Sequence, residues 1–267
     1  MKHRSFRTLV VLGMVASSLS ARHCNLDQTM QFNVGSTFCH VQSDFGDMPT
    51  TLGYQAGIHT DLTYSKEESF YAQLQFDGSW NAGYIAGPLA QKSKVGDYRP
   101  EGLIGYNFVS SCGKMVFTPL IGFGYHHFSN ELSPDIITYN YHHLYIPVGF
   151  DFAYPIRNCN FEIGARVVAR LGVAAWLDLE TPLINLGNDD DDNDLDLEWS
   201  YGVRVEVPLT WHKTTGNDIN WQVKVVPYFD WNHFGETEDT GIFNLPIGVP
   251  EVDRWQLGLH VDFGMRF

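Results

Sequence analysis

The stretch Trp255-Gln-Leu-Gly-Leu-His-Val-Asp-Phe-Gly-Met-Arg-Phe267 alternates strictly between two kinds of residue. Every second side chain from Trp255 to Phe267 is apolar, whereas the residues between them are polar, charged or glycine. Successive side chains of a β-strand point to opposite faces of the sheet. This period of two therefore predicts a strand with one apolar face and one polar face.

The same alternation recurs along most of the chain and predicts about ten strands. They are placed at about 30–41, 51–64, 69–84, 98–109, 115–129, 139–155, 161–179, 196–212, 219–234 and 253–267. Short connections alternate with longer ones, which lie near 42–50, 85–97, 130–138, 180–195 and 235–252. Short turns at one rim, long loops at the other and an even strand count are typical of outer-membrane barrels. The predicted fold is a single antiparallel up-and-down transmembrane β-barrel of about ten strands, with eight or twelve as alternatives.

Aromatic residues on the apolar faces are spaced as two membrane interfaces require. Four pairs lie ten positions apart on one strand: Tyr54 and Tyr64, Phe70 and Trp80, Tyr201 and Trp211, Trp221 and Trp231. Ten residues at about 3.3 Å each, tilted by about 40°, rise about 25 Å, the height of the apolar band of such barrels. Because aromatic rings prefer the interface, this spacing favours a membrane barrel over a soluble β-sandwich.

The polar faces combine many charges of both signs with glycines, as expected of a narrow barrel interior. Buried charges have to be paired, so this mixture predicts a narrow or plugged lumen rather than a wide pore. The predicted interior network consists of Asp77, Glu101, Glu162, Arg166, Arg170, Arg204, Glu206, Lys224, Asp262 and Arg266.

The N-terminal residues have the pattern of a secretory signal peptide. Lys2, Arg4 and Arg7 precede a short apolar segment at 9–15, and small residues at 17–21 suit peptidase cleavage. The predicted division is a signal peptide at 1–21 and a barrel domain at 22–267. No later segment offers the roughly 20 apolar residues of a membrane helix. A net charge of −14 argues against nucleic acid as a partner.

The final strand resembles the C-terminal signature of Gram-negative outer-membrane proteins, an alternating aromatic strand that ends in phenylalanine. Trp255, Phe263 and Phe267 carry this resemblance. It implies recognition by the barrel-assembly machinery and a location in the outer membrane. Outer-membrane lipid and lipopolysaccharide would then surround the barrel.

The sequence His126-His-Phe-Ser-Asn130 resembles a motif of the lipid A deacylase barrels, which are Ser-His-acid hydrolases. The resemblance implies His127 as the base and Ser129 as the nucleophile, a pair that also needs an orienting carboxylate. No aspartate or glutamate occupies a position that identifies it as this orienting carboxylate. Glu131 and Asp135 are close in the sequence, but nothing else marks them for the role. An interfacial histidine beside a loop serine is therefore the favoured interpretation.

Two other groups of polar residues are candidate sites. Asp189, Asp190, Asp191, Asp192 and Asp194 could hold calcium, although the EF-hand pattern is absent and a solvated acidic loop is favoured. Further polar residues are predicted near the outer rim, among them His142, Asp230 and His233. Omptin proteases are ten-stranded barrels with acidic and histidine residues at their mouth, but none of their local sequence occurs here.

Four cysteines in an exported chain allow three pairings. Cys112 and Cys159 fall in neighbouring short turns, and they form the favoured disulfide.

These features predict a barrel that needs no cofactor and is either a porin-like narrow channel or a structural surface protein. One alternative is a lipid A-directed hydrolase that uses His127 and Ser129. Another is a surface module that binds cations or a host partner through its acidic loop.

Overall fold

The computed structural model describes residues 28–46, 48–85, 92–110, 115–133, 137–156, 160–180, 194–214, 220–237 and 251–267. No helix among them is long and apolar enough to cross a membrane. Their strands are β1 (Gln28–Phe45), β2 (Met48–Lys66), β3 (Phe70–Ile85), β4 (Lys92–Tyr106), β5 (Phe108–Val109), β6 (Val116–Ser133), β7 (Ile137–Ile156), β8 (Phe161–Glu180), β9 (Asp194–Asp196), β10 (Ser200–Glu206), β11 (Leu209–Thr214), β12 (Asn220–Phe234) and β13 (Val252–Arg266).

These strands form one closed antiparallel barrel, which confirms the predicted fold. β1 pairs with β13 from Gln31–Arg266 to Asp44–Asp253 and so closes the ring. β4 and β5 together pair with β6, and β9, β10 and β11 together pair with β8. Each of these two groups therefore takes the place of one strand in the barrel wall, which we call one wall position. Within the described ranges the barrel therefore has ten wall positions.

The start of β1 and the end of β13 lie at the same end of the barrel, where backbone hydrogen bonds join Met30 and Phe267. The connections at this end are short, such as the three residues between β2 and β3. The strand ends that flank the longest connections, between β8 and β9 and between β12 and β13, lie at the opposite end. This arrangement places the periplasm at the end with Met30 and Phe267 and the extracellular space at the other.

The strands extend further toward the extracellular side than the sequence predicted. A connection was expected near 42–50, but β1 runs to Phe45 and β2 begins at Met48. Gly46 has a φ of 59°, a conformation that glycine adopts without steric cost, and it allows this tight turn. The prediction was wrong because Ser43, which suggests a loop by its polarity, points into the barrel and is buried.

An exposed apolar band surrounds the periplasmic and central part of the barrel. The predicted interface aromatics Tyr54, Phe70, Trp80, Trp211 and Trp221 are all exposed on the outer surface. Between the two aromatic levels lie further exposed apolar side chains, including Leu74, Phe123, Leu171, Leu257 and Phe263. A closed barrel with this band is a transmembrane barrel of the outer membrane.

The polarity of the two faces inverts beyond the extracellular aromatic level. Strand β8 has 20 residues, which span about 50 Å along the barrel axis, twice the height of the band. In the membrane-spanning part of β8, Arg170 is buried in the barrel interior and Leu171 is exposed on the outer surface. After a bulge opposite Leu144 and Tyr145, Leu177 is buried and Asp178 faces outward. The projecting part is thus built like a soluble protein, with an apolar interior and a polar exterior.

A single arginine placed at two depths tests this assignment of the membrane band. Ala169→Arg would put a charge on the exposed face midway between Phe161 and Trp176, and we expect it to lower the free energy of unfolding in lipid vesicles by about 2–4 kcal/mol. Ser129→Arg, two residues beyond His127 at the extracellular level, should cost about 0–1 kcal/mol. Equal losses in urea titrations of the two variants would contradict the assignment.

Candidate functional site

Three arginines from separate strands converge on Asp230 inside the barrel. Arg99 on β4 forms an ion pair with it, Arg170 Nη1 on β8 lies 2.7 Å away, and Arg204 Nη1 on β10 lies 3.7 Å away. Asp230 is fully buried, and the arginines are at most 3% exposed. β4 and β12 stand on opposite sides of the ring, so the Arg99–Asp230 pair spans the whole lumen.

A second set of contacts also crosses the barrel, from β10 to β3. Arg204 Nη1 donates to Asp77 Oδ2 at 2.6 Å, and its Nε lies 2.6 Å from Glu206 Oε1. Asp77 Oδ1 is 2.6 Å from His59 Nδ1, and Arg204 Nη2 donates to His260 Nε2 at 2.6 Å. These contacts join two opposite walls through one guanidinium group.

A third set fills the space between β3, β4, β7 and β8. Arg166 Nη2 donates to Asp151 Oδ2 at 2.6 Å and to Tyr71 Oη at 3.1 Å. Glu101 accepts a hydrogen bond from Tyr145 Oη at 2.9 Å, and it lies 3.8 Å from Arg170 Nε. Arg170 also binds Asp230, so this set is continuous with the first.

Nearer the extracellular end, Asp97 is the centre of a smaller group. Arg254 forms an ion pair with Asp97, and His126 Nε2 lies 3.2 Å from the same carboxylate. All three side chains are buried. Because a buried charge without a partner is very costly, each pair stabilises the barrel only as long as both partners are present.

The ten predicted network residues do not all lie together. Six of them share the network just described: Asp77, Glu101, Arg166, Arg170, Arg204 and Glu206. Asp262 and Lys224 lie closer to the periplasmic end, beside Asp61. Glu162 and Arg266 are half-buried near the strand ends at that rim.

Sequence reasoning missed several central members of the network: His59, Asp61, Asp97, Arg99, Asp230 and Arg254. The signal was available for both Asp97 and Arg99, which share the parity of Glu101. Asp97 was missed because the fourth strand was predicted to begin at residue 98, whereas Arg99 lay within the predicted strand and was overlooked. Asp230 was predicted near the outer rim, and that placement was wrong. It is fully buried inside because Arg99 and Arg170 contact it and because other strands, such as β4, extend further than predicted and enclose it.

An apolar layer covers the polar network on the extracellular side. It comprises Phe45, Val95, Phe128, Tyr141, Ala175, Leu177, Leu195, Leu197, Phe234 and Val252, all buried. The Phe234 and Tyr141 ring centroids are 5.4 Å apart, and those of Phe128 and Tyr141 are 5.6 Å apart. The Arg254 guanidinium lies 4.4 Å from the Phe128 ring centroid and joins the two layers. Contacts across the interior thus form two layers, ion pairs and, on the extracellular side of them, packed rings.

The predicted hydrolase pair lies on the outside of the barrel at the extracellular aromatic level. His127 Nδ1 is 3.4 Å from His142 Nδ1, and its ring stacks on Tyr98. The carboxylate of this group, Asp178, lies 2.9 Å from His142 Nε2. Ser129 follows on the same face, opposite Asn140 of β7. These positions are typical of an aromatic cluster at the membrane interface. Asp178, the carboxylate of this cluster, contacts His142.

Several predicted residues lie outside the described part of the chain. These are Asp189, Asp190, Asp191 and Asp192 of the acidic run, and Cys112 and Cys159 of the disulfide. Asp194 begins β9 and pairs with Asp178 of β8. Cys39 is a free buried cysteine whose thiol lies 3.7 Å from Gln55 Oε1.

The chain shares its fold with a known barrel. Over 93% of its length it is similar to the outer membrane protease OmpT from Escherichia coli, of which it covers 99%, with a TM-score of 0.56 and 8% sequence identity. It also covers 95% of the translocator domain of the autotransporter NalP from Neisseria meningitidis, over 96% of its own length, with a TM-score of 0.42 and 8% identity. No protein-family model and no curated protein matches the chain. At this identity the similarity to OmpT establishes the fold alone.

Proposed function

We propose that this protein is a closed outer-membrane barrel that acts as a structural surface protein and does not form an open pore. The observation that supports this proposal is the presence of two layers of contacts across the interior. Ion pairs such as Arg99–Asp230 span the full width of the lumen, and the apolar layer covers them. A water-filled channel would leave some of these charges exposed along a continuous path.

The long projecting strands support a role at the cell surface. They raise the apolar layer and the rim of the barrel above the membrane on a rigid base. The exposed faces of Trp255, Phe263 and Phe267 are consistent with recognition by the barrel-assembly machinery. The outer cluster of Tyr98, His127, His142 and Trp176 would contact lipopolysaccharide at the interface, where aromatic rings are favoured.

Single-channel recording in planar bilayers tests whether the lumen is closed to ions. We expect the folded protein to insert without stable conductance steps, because the path is blocked at two depths. A known open porin, reconstituted in parallel, serves as the positive control for insertion. Stable steps whose size grows in proportion to salt concentration would contradict the proposal and favour the narrow channel.

A further inference from the structure

A compact group of one histidine and two aspartates lies inside the barrel toward the periplasmic end. His59 and Asp61 come from β2, and Asp262 comes from β13. His59 Nε2 is 3.4 Å from Asp61 Oδ2 and 3.9 Å from Asp262 Oδ2. One ligand atom of each residue lies within 4.8 Å of the other two. All three residues are buried, with at most 5% of their surface exposed.

Three carboxylate oxygens of this group lack hydrogen-bond partners among the described residues. They are Asp61 Oδ2 and both oxygens of Asp262. Asp61 is held in place by its other oxygen, which accepts hydrogen bonds from Asn33 Nδ2 at 2.9 Å and from Thr63 Oγ1 at 3.2 Å. Buried anionic oxygens without hydrogen-bond donors are costly, and a bound cation would offset that cost.

His59 is oriented as a metal-ligating histidine is. Its Nδ1 contacts Asp77 Oδ1 at 2.6 Å, and Asp77 Oδ2 is held by Arg204 Nη1 at 2.6 Å. When Nδ1–H donates to a carboxylate, the lone pair is left on Nε2, which here points toward Asp61 and Asp262. Metal-binding histidines generally donate their second nitrogen to a carboxylate or carbonyl in this way.

A neighbouring group of His59, Asp77 and His260 also brings possible ligands together, but its atoms are already engaged. His260 Nε2 accepts a hydrogen bond from Arg204 Nη2 at 2.6 Å. Both oxygens of Asp77 are bonded, one to His59 and one to Arg204. The available ligand atoms are therefore those around His59 Nε2.

The charge balance of the interior also favours a bound cation. Apart from His59 itself, the basic group within ion-pair distance of these three oxygens among the residues described is Lys224, whose Nζ lies 3.9 Å from Asp61 Oδ2 and forms an ion pair with it. Among the interior side chains that form ion pairs, and with histidines left out of the count, carboxylates outnumber arginine and lysine side chains by two. The carboxylates are Asp61, Asp77, Asp97, Glu101, Asp151, Glu206, Asp230 and Asp262; the basic residues are Arg99, Arg166, Arg170, Arg204, Lys224 and Arg254.

We propose that His59, Asp61 and Asp262 bind one divalent transition-metal ion, of which Zn²⁺ fits best. Tetrahedral Zn²⁺ holds nitrogen and oxygen ligands at about 2.0–2.2 Å, which separates neighbouring ligand atoms by about 3.3–3.6 Å. The 3.4 Å between His59 Nε2 and Asp61 Oδ2 matches this separation, and Asp262 Oδ2, 3.9 Å from the same nitrogen, would move inward by a few tenths of an ångström. Water would complete the coordination. The ion would link β2 to β13 across β1, where Gly35 leaves room for the Asp262 carboxylate: a Cβ on Gly35 would lie 2.2 Å from Asp262 Oδ1.

The test uses the full mature chain without a histidine tag, refolded in detergent with a chelator and then dialysed against Zn²⁺ or Co²⁺. We expect one Zn²⁺ per chain by elemental analysis after excess metal is removed. Co²⁺ should give the intense visible absorption of a tetrahedral site. Zn²⁺ should also raise the unfolding temperature of the barrel.

Two variants and one matched control assign the binding to this group. Asp262→Asn and Asp61→Asn should lose the bound Zn²⁺ and the Co²⁺ absorption. The Asp61→Asn side chain keeps an oxygen that can accept from Asn33 and Thr63, so this variant should fold. Asp253→Asn alters another aspartate on β13, which lies 3.0 Å from His233 at the extracellular end, and should bind metal as the wild type does. Folding of each variant is checked by the faster migration of the unheated barrel on a gel.

The proposal is overturned if the folded wild type retains no Zn²⁺. In that case a protonated His59 balances the carboxylates instead. It is equally overturned if folded Asp61→Asn binds Zn²⁺ as tightly as the wild type. Neither result bears on the closed lumen, which conductance measures separately.

Discussion

Replacing Asp230 by alanine should lower the free energy of unfolding of the barrel by about 3–5 kcal/mol. The carboxylate is fully buried and is shared by Arg99, Arg170 and Arg204. Without it, these guanidinium groups would stay buried with fewer anionic partners, and their desolvation would no longer be offset. Urea titration in lipid vesicles, followed by tryptophan fluorescence, measures the loss.

Asp253→Ala provides the control for this prediction. Its side chain is 43% exposed and forms its ion pair with His233 on the outer surface, also between β12 and β13. An exposed pair of this kind contributes at most about 1 kcal/mol. If Asp230→Ala were no more destabilising than Asp253→Ala, the three arginines would not depend on Asp230 and the ionic closure would be wrong.

Phe234→Ala should be similarly destabilising, by about 3–5 kcal/mol. The ring is fully buried in the apolar layer, with centroid distances of 5.4 Å to Tyr141 and 5.8 Å to His126 and to His143. Its removal would leave a cavity that the surrounding barrel wall cannot collapse to fill. The same urea titration measures this loss.

The comparison for Phe234 is Phe229 on the same strand, which faces the membrane. Lipid chains would fill the space left by Phe229→Ala, so no cavity term is added and the loss should be clearly smaller. A larger loss for Phe229→Ala than for Phe234→Ala would contradict the presence of a packed apolar layer inside the projecting part of the barrel.

The strand number and the closure of the barrel could be predicted from residue parity. In β13 and in the membrane parts of β8 and β12, the apolar face meets a uniform environment of lipid along many residues, so the alternation is unbroken. Aromatic pairs ten residues apart then indicate the height of the membrane band. These signals are local, and they need no knowledge of which strand lies opposite.

Contacts across the lumen could not be predicted in the same way. Arg99 and Asp230 are 131 positions apart in the chain, and their pairing depends on the size and stagger of the closed ring. The change of polarity along β8 was hidden by the bulge at Val173, which shifts the parity by one residue just where the strand leaves the membrane. A period of two carries no information about depth. The extracellular ends were therefore taken for loops where polar residues such as Ser43 face inward.

Thiol labelling of Cys39 tests the closed interior most directly. Cys39 points into the barrel between the ionic network and the apolar layer and is 5% exposed. In a chain whose other cysteines, at positions 24, 112 and 159, are changed to serine, a small water-soluble thiol reagent added to folded barrels in vesicles should leave Cys39 unmodified. The same reagent should modify it fully in urea. Rapid and complete labelling of the folded barrel would show a water-filled interior and would contradict the account.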